Sequence, residues 1–124
     1  MYATGSFDVK LTPQTDASPA RMLIDKQFHG DLQGTSKGQM LAAMTEVKGS
    51  AGYVAMEHVT GSLGGRSGSF ALQHFGAMRR GMQELIVRVV PDSGTRELRG
   101  LSGTMTIDTS GGKHDYGFEY TLGN

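Results

Sequence analysis

Gly52-Tyr-Val-Ala-Met-Glu-His-Val-Thr60, Gly61-Ser-Leu-Gly-Gly-Arg-Ser67 and Gly68-Ser-Phe-Ala-Leu-Gln-His-Phe-Gly76 read as a strand, a glycine-rich turn and a second strand. Each strand carries apolar residues on both parities, so both faces are covered or nearly so. Polar groups interrupt them: Glu57 and His58 on the first, Gln73 and His74 on the second. A polar side chain in a covered strand needs a partner or a task, because burying it unpaired costs free energy.

The same alternation runs outward in both directions. Residues 4–12 set Phe7, Val9 and Leu11 against Asp8 and Lys10. Residues 21–33 set Met22, Ile24, Phe28 and Leu32 on one face, with Lys26 among them. Residues 36–47 align Met40, Ala42 and Met44. Beyond the opening pair, residues 83–90 align Leu85, Val87 and Val89, and Pro91-Asp-Ser-Gly94 stops that strand. Residues 95–100 suit a short helical turn anchored by Leu98. Residues 101–109 align Leu101, Gly103, Met105 and Ile107, and residues 114–122 align Tyr116, Phe118, Tyr120 and Leu122.

The pattern predicts an all-β fold of about eight antiparallel strands over residues 1–124, as one domain. Short loops and so many strands favour closure into a barrel, which removes exposed edges. Nineteen glycines leave little room for helix and suit the tight bends of a small barrel. The eight methionines read as adaptable core filler.

Composition narrows the function classes. Twelve basic and twelve acidic residues cancel, which argues against a nucleic-acid binder. Absent cysteine rules out disulfides, thiolate catalysis and cysteine zinc sites. The first residues show no secretion-signal pattern, and the longest apolar run, Met40-Leu-Ala-Ala-Met44, is too short to cross a bilayer. A cytoplasmic protein with no membrane partner is the expectation. His29, His58, His74 and His114 fall on four different strands without ligand spacing, so neither a metal nor an organic cofactor is expected. Gly61-Ser-Leu-Gly-Gly-Arg-Ser-Gly68 lacks the Gly-Lys-Ser/Thr of a phosphate loop and joins two strands rather than a strand and a helix.

Glu57 is the candidate ionisable group, because a carboxylate in a barrel lumen is desolvated and suited to acid–base work. With the turn centred on Gly64, Glu57 lies opposite Ala71 and shares a face with Tyr53 and Gln73, its expected orienting partners. Phe70, Leu72, His74 and Tyr116 are the expected wall or rim. A one-residue slip changes which polar groups meet.

Gly64-Gly-Arg-Ser-Gly-Ser-Phe-Ala-Leu-Gln-His74, Val89-Val-Pro-Asp-Ser-Gly-Thr95 and Leu98-Arg-Gly-Leu-Ser-Gly103 closely resemble a family of small bacterial proteins of unknown function with an allene oxide cyclase-like barrel fold. Asp25-Lys-Gln-Phe-His-Gly-Asp-Leu32 and Ala51-Gly-Tyr-Val-Ala-Met-Glu57 fit that pattern too. The stretch holding Ser93, Gly94, Leu98, Gly100 and Gly103 is also similar to a turn of plant allene oxide cyclases and dirigent proteins. The resemblance implies a barrel with a lumen and a homo-oligomer. It transfers no activity, since the plant enzymes' pocket residues do not map onto this chain.

Two functions follow as expectations. The first is a protein that binds a small apolar molecule in the lumen, or a cofactor-free cyclase/isomerase-like enzyme. The second is a non-catalytic barrel with a packed lumen whose outer face builds a homo-oligomer. A cavity of roughly 300 Å³ or more reached by Glu57 supports the first, and a dry, filled interior with Glu57 fully paired sinks it.

Overall fold

In a computed structural model that describes residues 1–15 and 18–123, eight strands close into an antiparallel barrel, each pairing with the next and the last with the first. They are β1 (Tyr2–Gln14), β2 (Ala20–Gly30), β3 (Leu32–Met44), β4 (Ala51–Leu63), β5 (Arg66–Arg79), β6 (Met82–Val89), β7 (Leu101–Asp108) and β8 (His114–Leu122). The expected strand over residues 21–33 breaks at Asp31. Asp31 exchanges hydrogen bonds with Thr4, through its backbone N–H and its carboxylate, and so pins a corner between β2 and β3. The expected helical turn is a single 3₁₀ turn, Arg96–Leu98, and its Leu98 is fully buried.

The β4–β5 hairpin corrects the expected register. Leu63 pairs with Arg66, so the loop is two residues, Gly64 and Gly65, both at positive φ (57° and 85°). Such a turn follows the strand twist and needs glycine-like freedom at both positions. Glu57 therefore faces Leu72 and Ala55 faces His74, one place away from the register centred on Gly64.

The two ends of the barrel differ. At the end with the Gly64–Gly65 turn, the 3₁₀ turn closes the opening: Thr95 N–H donates to Ser69 O and Val90 N–H to Ala71 O. A side chain at Gly68 would strike Thr95 O at 2.2 Å, so glycine there lets this cap sit on β5. Above it Phe28, Leu32, Val59, Leu63, Phe70, Leu72 and Phe118 fill the lumen, with Phe70 and Phe118 stacked at 6.1 Å. Each such side chain contributes about 1.5–3 kcal/mol of burial free energy.

The other end is open. β6 and β7 pair only at Val87–Met105 and Arg88–Thr104. Beyond those pairs the two strands splay, and Gln83 and Leu85 on one side and Ile107 and Thr109 on the other line a cavity. The lumen is thus packed in one half and hollow in the other.

Candidate functional site

A polar cluster lies where the packed half meets the hollow half. Glu57 on β4 accepts three hydrogen bonds: from Lys26 Nζ on β2 (2.7 Å, to Oε2), from His74 Nε2 on β5 (2.6 Å, to Oε2) and from Ser36 Oγ on β3 (2.7 Å, to Oε1). Four consecutive strands supply the cluster. Lys26 and Ser36 are cross-strand partners, and Glu57 and His74 are diagonal neighbours.

Gly38 makes the long reach possible. It is the cross-strand partner of Glu57, and a β-carbon there would lie 2.7 Å from the Glu57 β-carbon. Without that side chain, Glu57 leans across β3 and meets Lys26 two strands away.

The electrostatics follow from burial and pairing. Burial alone pushes the Glu57 carboxyl upward. The His74 hydrogen bond, the Lys26 and His74 charges and the Lys26 hydrogen bond outweigh it and hold the pKa down to about 2. Glu57 is therefore an ionised acceptor, and at 2.6 Å the His74 Nε2–H donates to it. The Lys26 ammonium also lies 4.6 Å from the Phe7 ring centroid and 5.8 Å from that of Phe28. Burial, and then the Glu57 charge, raise the Tyr53 hydroxyl above its ordinary value.

Glu57 itself is sealed, with no side-chain exposure. Lys26 and His74 are the groups that reach the cavity, a space of about 240 Å³ that Phe7, Val9, Ile24, Met40, Tyr53 and Leu85 also help to line. It shares Met40, Tyr53, Gln83 and Leu85 with an adjoining recess of about 300 Å³ at the mouth, walled further by Met22, Ala42, Met44 and Met78. The result is a methionine-rich entrance leading to one ammonium and the His74 imidazole, with Gln83, Thr109 and a second imidazole, His114, also on the cavity wall.

His74 is held at one nitrogen only. Its Nδ1 makes no hydrogen bond, and among the described residues no sealed side-chain nitrogen or oxygen lacks a partner. Nδ1 is therefore accessible, and His74 lines the cavity. With Nε2–H committed to a carboxylate, Nδ1 of the neutral ring carries the lone pair.

The expected site residues separate into three groups. Tyr53 and His74 line the cavity, and Glu57 lies beneath it. Phe70 and Leu72 belong to the packed half. Tyr116 is a clamp: its hydroxyl accepts from Leu32 N–H and lies 2.9 Å from His29 O and 3.1 Å from Leu32 O, holding the β2–β3 corner. Gln73 lies on the outer surface opposite Met56, because the two-residue turn puts His74, not Gln73, on the face of Glu57. Lys26 and Ser36 were not expected at the site. The signal for Lys26 was its place on the apolar parity of its strand; a serine among small residues offered none. Among the described residues no three His, Asp or Glu side chains gather as a metal site, and no helix is long and apolar enough to cross a membrane.

A family described as a protein of unknown function, DUF3224, matches residues 3–120 of this chain. A crystal structure of a DUF3224 protein of unknown function from Shewanella oneidensis MR-1 superposes with a TM-score of 0.96 at 50% identity, covering 100% of this chain and 98% of that one. No curated protein matches the chain.

Proposed function

We propose, for a chain that belongs to the DUF3224 family of unknown function, that the hollow half of the barrel binds a small apolar molecule whose polar end meets Lys26 and His74. One observation supports the reading above others: a largely apolar cavity is lined by two polar side chains, Lys26 and His74, that converge on one buried carboxylate. Binding sites of small molecules combine apolar walls with a few placed polar groups in this way. The methionines at the mouth can repack around different shapes. A cytoplasmic setting is part of this proposal.

The test is a titration of the isotope-labelled protein with medium-chain alkyl ketones and alcohols, followed by NMR. Binding should shift the resonances of Met40, Tyr53 and Leu85 and leave those of Phe70 and Phe118 in place. Ala42→Trp, which fills the mouth, should abolish the shifts without lowering the melting temperature. Shifts confined to the outer surface would sink the proposal.

A second reading concerns the outer face. Leu41, Val54, Phe75 and Ile86 stand in one cross-strand row over β3–β6 and are each 41–49% exposed. On β6, Glu84 and Arg88 flank Ile86. We infer that a second copy of the chain covers this row about a two-fold axis, since antiparallel stacking sets Glu84 of one copy against Arg88 of the other.

A further inference from the structure

We propose that His74 and Lys26 form a proton-transfer centre acting on an apolar ketone or aldehyde, with His74 Nδ1 as base and Lys26 Nζ–H as the donor to the carbonyl oxygen. This rests on the cavity reading above and adds the chemistry of the ligand and the reaction.

Three observations carry it. First, Glu57 commits His74 Nε2–H and leaves Nδ1 unpartnered and accessible, so that the ring, when neutral, carries its lone pair there. A carboxylate that fixes one imidazole tautomer is how a histidine base is commonly oriented. Second, Lys26 spends one N–H on Glu57 and lies against two ring faces, so it has a donor left for a ligand in the cavity it lines. Third, Lys26 Nζ and His74 Nε2 contact the same oxygen, Glu57 Oε2, so the ammonium and the imidazole ring are held side by side, with Nδ1 across the ring from that contact. A carbonyl oxygen and a hydrogen on its adjacent carbon are likewise neighbours.

The step balances without a co-reactant. The C–H bond next to the carbonyl breaks, and its proton goes to His74 Nδ1. The electron pair forms the C=C bond of an enolate, and the carbonyl π pair moves to oxygen, where Lys26 holds it. Return of a proton to the same carbon gives exchange. In a β,γ-unsaturated ketone, return to the far carbon of the dienolate moves the double bond. Nothing is oxidised or reduced. Glu57 is a positioning residue here, acting through His74 and Lys26.

The experiment incubates the protein with 2-nonanone in D₂O. It follows deuterium entry beside the carbonyl by mass spectrometry and binding by protein NMR in the same sample. The expected result is binding in the cavity with exchange far above the buffer blank, lowered roughly 10²–10⁴-fold by His74→Gln, the usual worth of a positioned acid–base group. Should His74→Gln not fold, Lys26→Met is to lower the exchange, and long-range ¹⁵N NMR of the wild-type protein is to show His74 protonated at Nε2 and bare at Nδ1. Glu57→Gln is to shift that tautomer balance as well as slow the exchange. Binding without exchange, or a proton on Nδ1, overturns the proton-transfer proposal and leaves the cavity reading standing. No binding of 2-nonanone overturns both.

Discussion

His74 Nε2 stands 2.6 Å from Glu57 Oε2, although the two residues are not direct cross-strand partners. His74 faces Ala55 and Glu57 faces Leu72, so the contact is diagonal. The pair links the sealed interior to the cavity, since Glu57 is closed off and His74 is not. Acidity, register and access at the site can each be tested through it.

The first expectation is an acid-labile barrel. The Glu57 carboxyl titrates near 2 in the fold against an ordinary 4.5, so the unfolded chain takes up its proton first as pH falls. A depressed carboxylate adds stability that is complete above the unfolded value and is lost as pH drops from about 4.5 to 2. The shift corresponds to roughly 3 kcal/mol. Urea unfolding from pH 7 to 2 should show that loss in the wild-type protein. In Glu57→Gln, which has no carboxylate at this position, the same acid range should produce a clearly smaller drop. Equal acid slopes in the two proteins would remove Glu57 as the cause.

Lys26 should prove costly to remove alone and cheap to remove with its partner. Lys26→Met leaves an ionised, sealed carboxylate short of one cation, and breaking a buried pair from one side costs about 3–5 kcal/mol. Replacing both charges by apolar groups removes the stranded charge. Lys26→Met/Glu57→Met should therefore be more stable than Lys26→Met by several kcal/mol. A double-mutant cycle in urea measures the coupling. Additive losses would mean the contact carries no energy of its own.

The barrel was legible in the sequence because period-two alternation survives in every strand and the turn chemistry separates the strands. Leu98 as the anchor of a short turn was legible for the same reason. The site was legible only to within one residue. Gly61-Ser-Leu-Gly-Gly-Arg-Ser67 offers several glycines around which a turn can centre, and the parity of the following strand hangs on that choice. Centring on Gly64 put Gln73 beside Glu57; the Gly64–Gly65 turn puts His74 there. Lys26 stood on an apolar parity, yet its partner lies two strands away, and only barrel curvature with a glycine between them brings the charges together. The division of the lumen into packed and hollow halves was not readable. It arises from the splay of β6 and β7, and splay is a property of pairing, not of either strand's pattern.

That intervening glycine makes a prediction of its own. A β-carbon at Gly38 would lie 2.2 Å from Met56 O and 2.7 Å from the Glu57 β-carbon. Gly38→Ala must push β3 and β4 apart or turn Glu57 away. Overpacking of this kind costs about 1–3 kcal/mol. The variant should melt at a lower temperature, and its His74 ring should lose the single-tautomer ¹⁵N signature. Gly111→Ala serves as the control, because a β-carbon there meets nothing within 4 Å. An unchanged His74 signature in Gly38→Ala would show that Glu57 needs no gap to reach Lys26.

The outer row sets the last test. Phe75 is 49% exposed and pairs with Val54 on one side and Ile86 on the other, both also exposed. Sedimentation of the wild-type protein at micromolar concentration should give a dimer. Phe75→Glu places a carboxylate in the middle of the row and should give a monomer with an unchanged melting temperature at low concentration, since Phe75 faces away from the lumen. Charge reversal separates a specific two-fold contact from general stickiness. Glu84→Arg alone should weaken the dimer by setting like charges together, and Glu84→Arg/Arg88→Glu should restore it. A wild-type monomer would refute the interface outright, while a dimer indifferent to Phe75→Glu would place the contact elsewhere on the barrel.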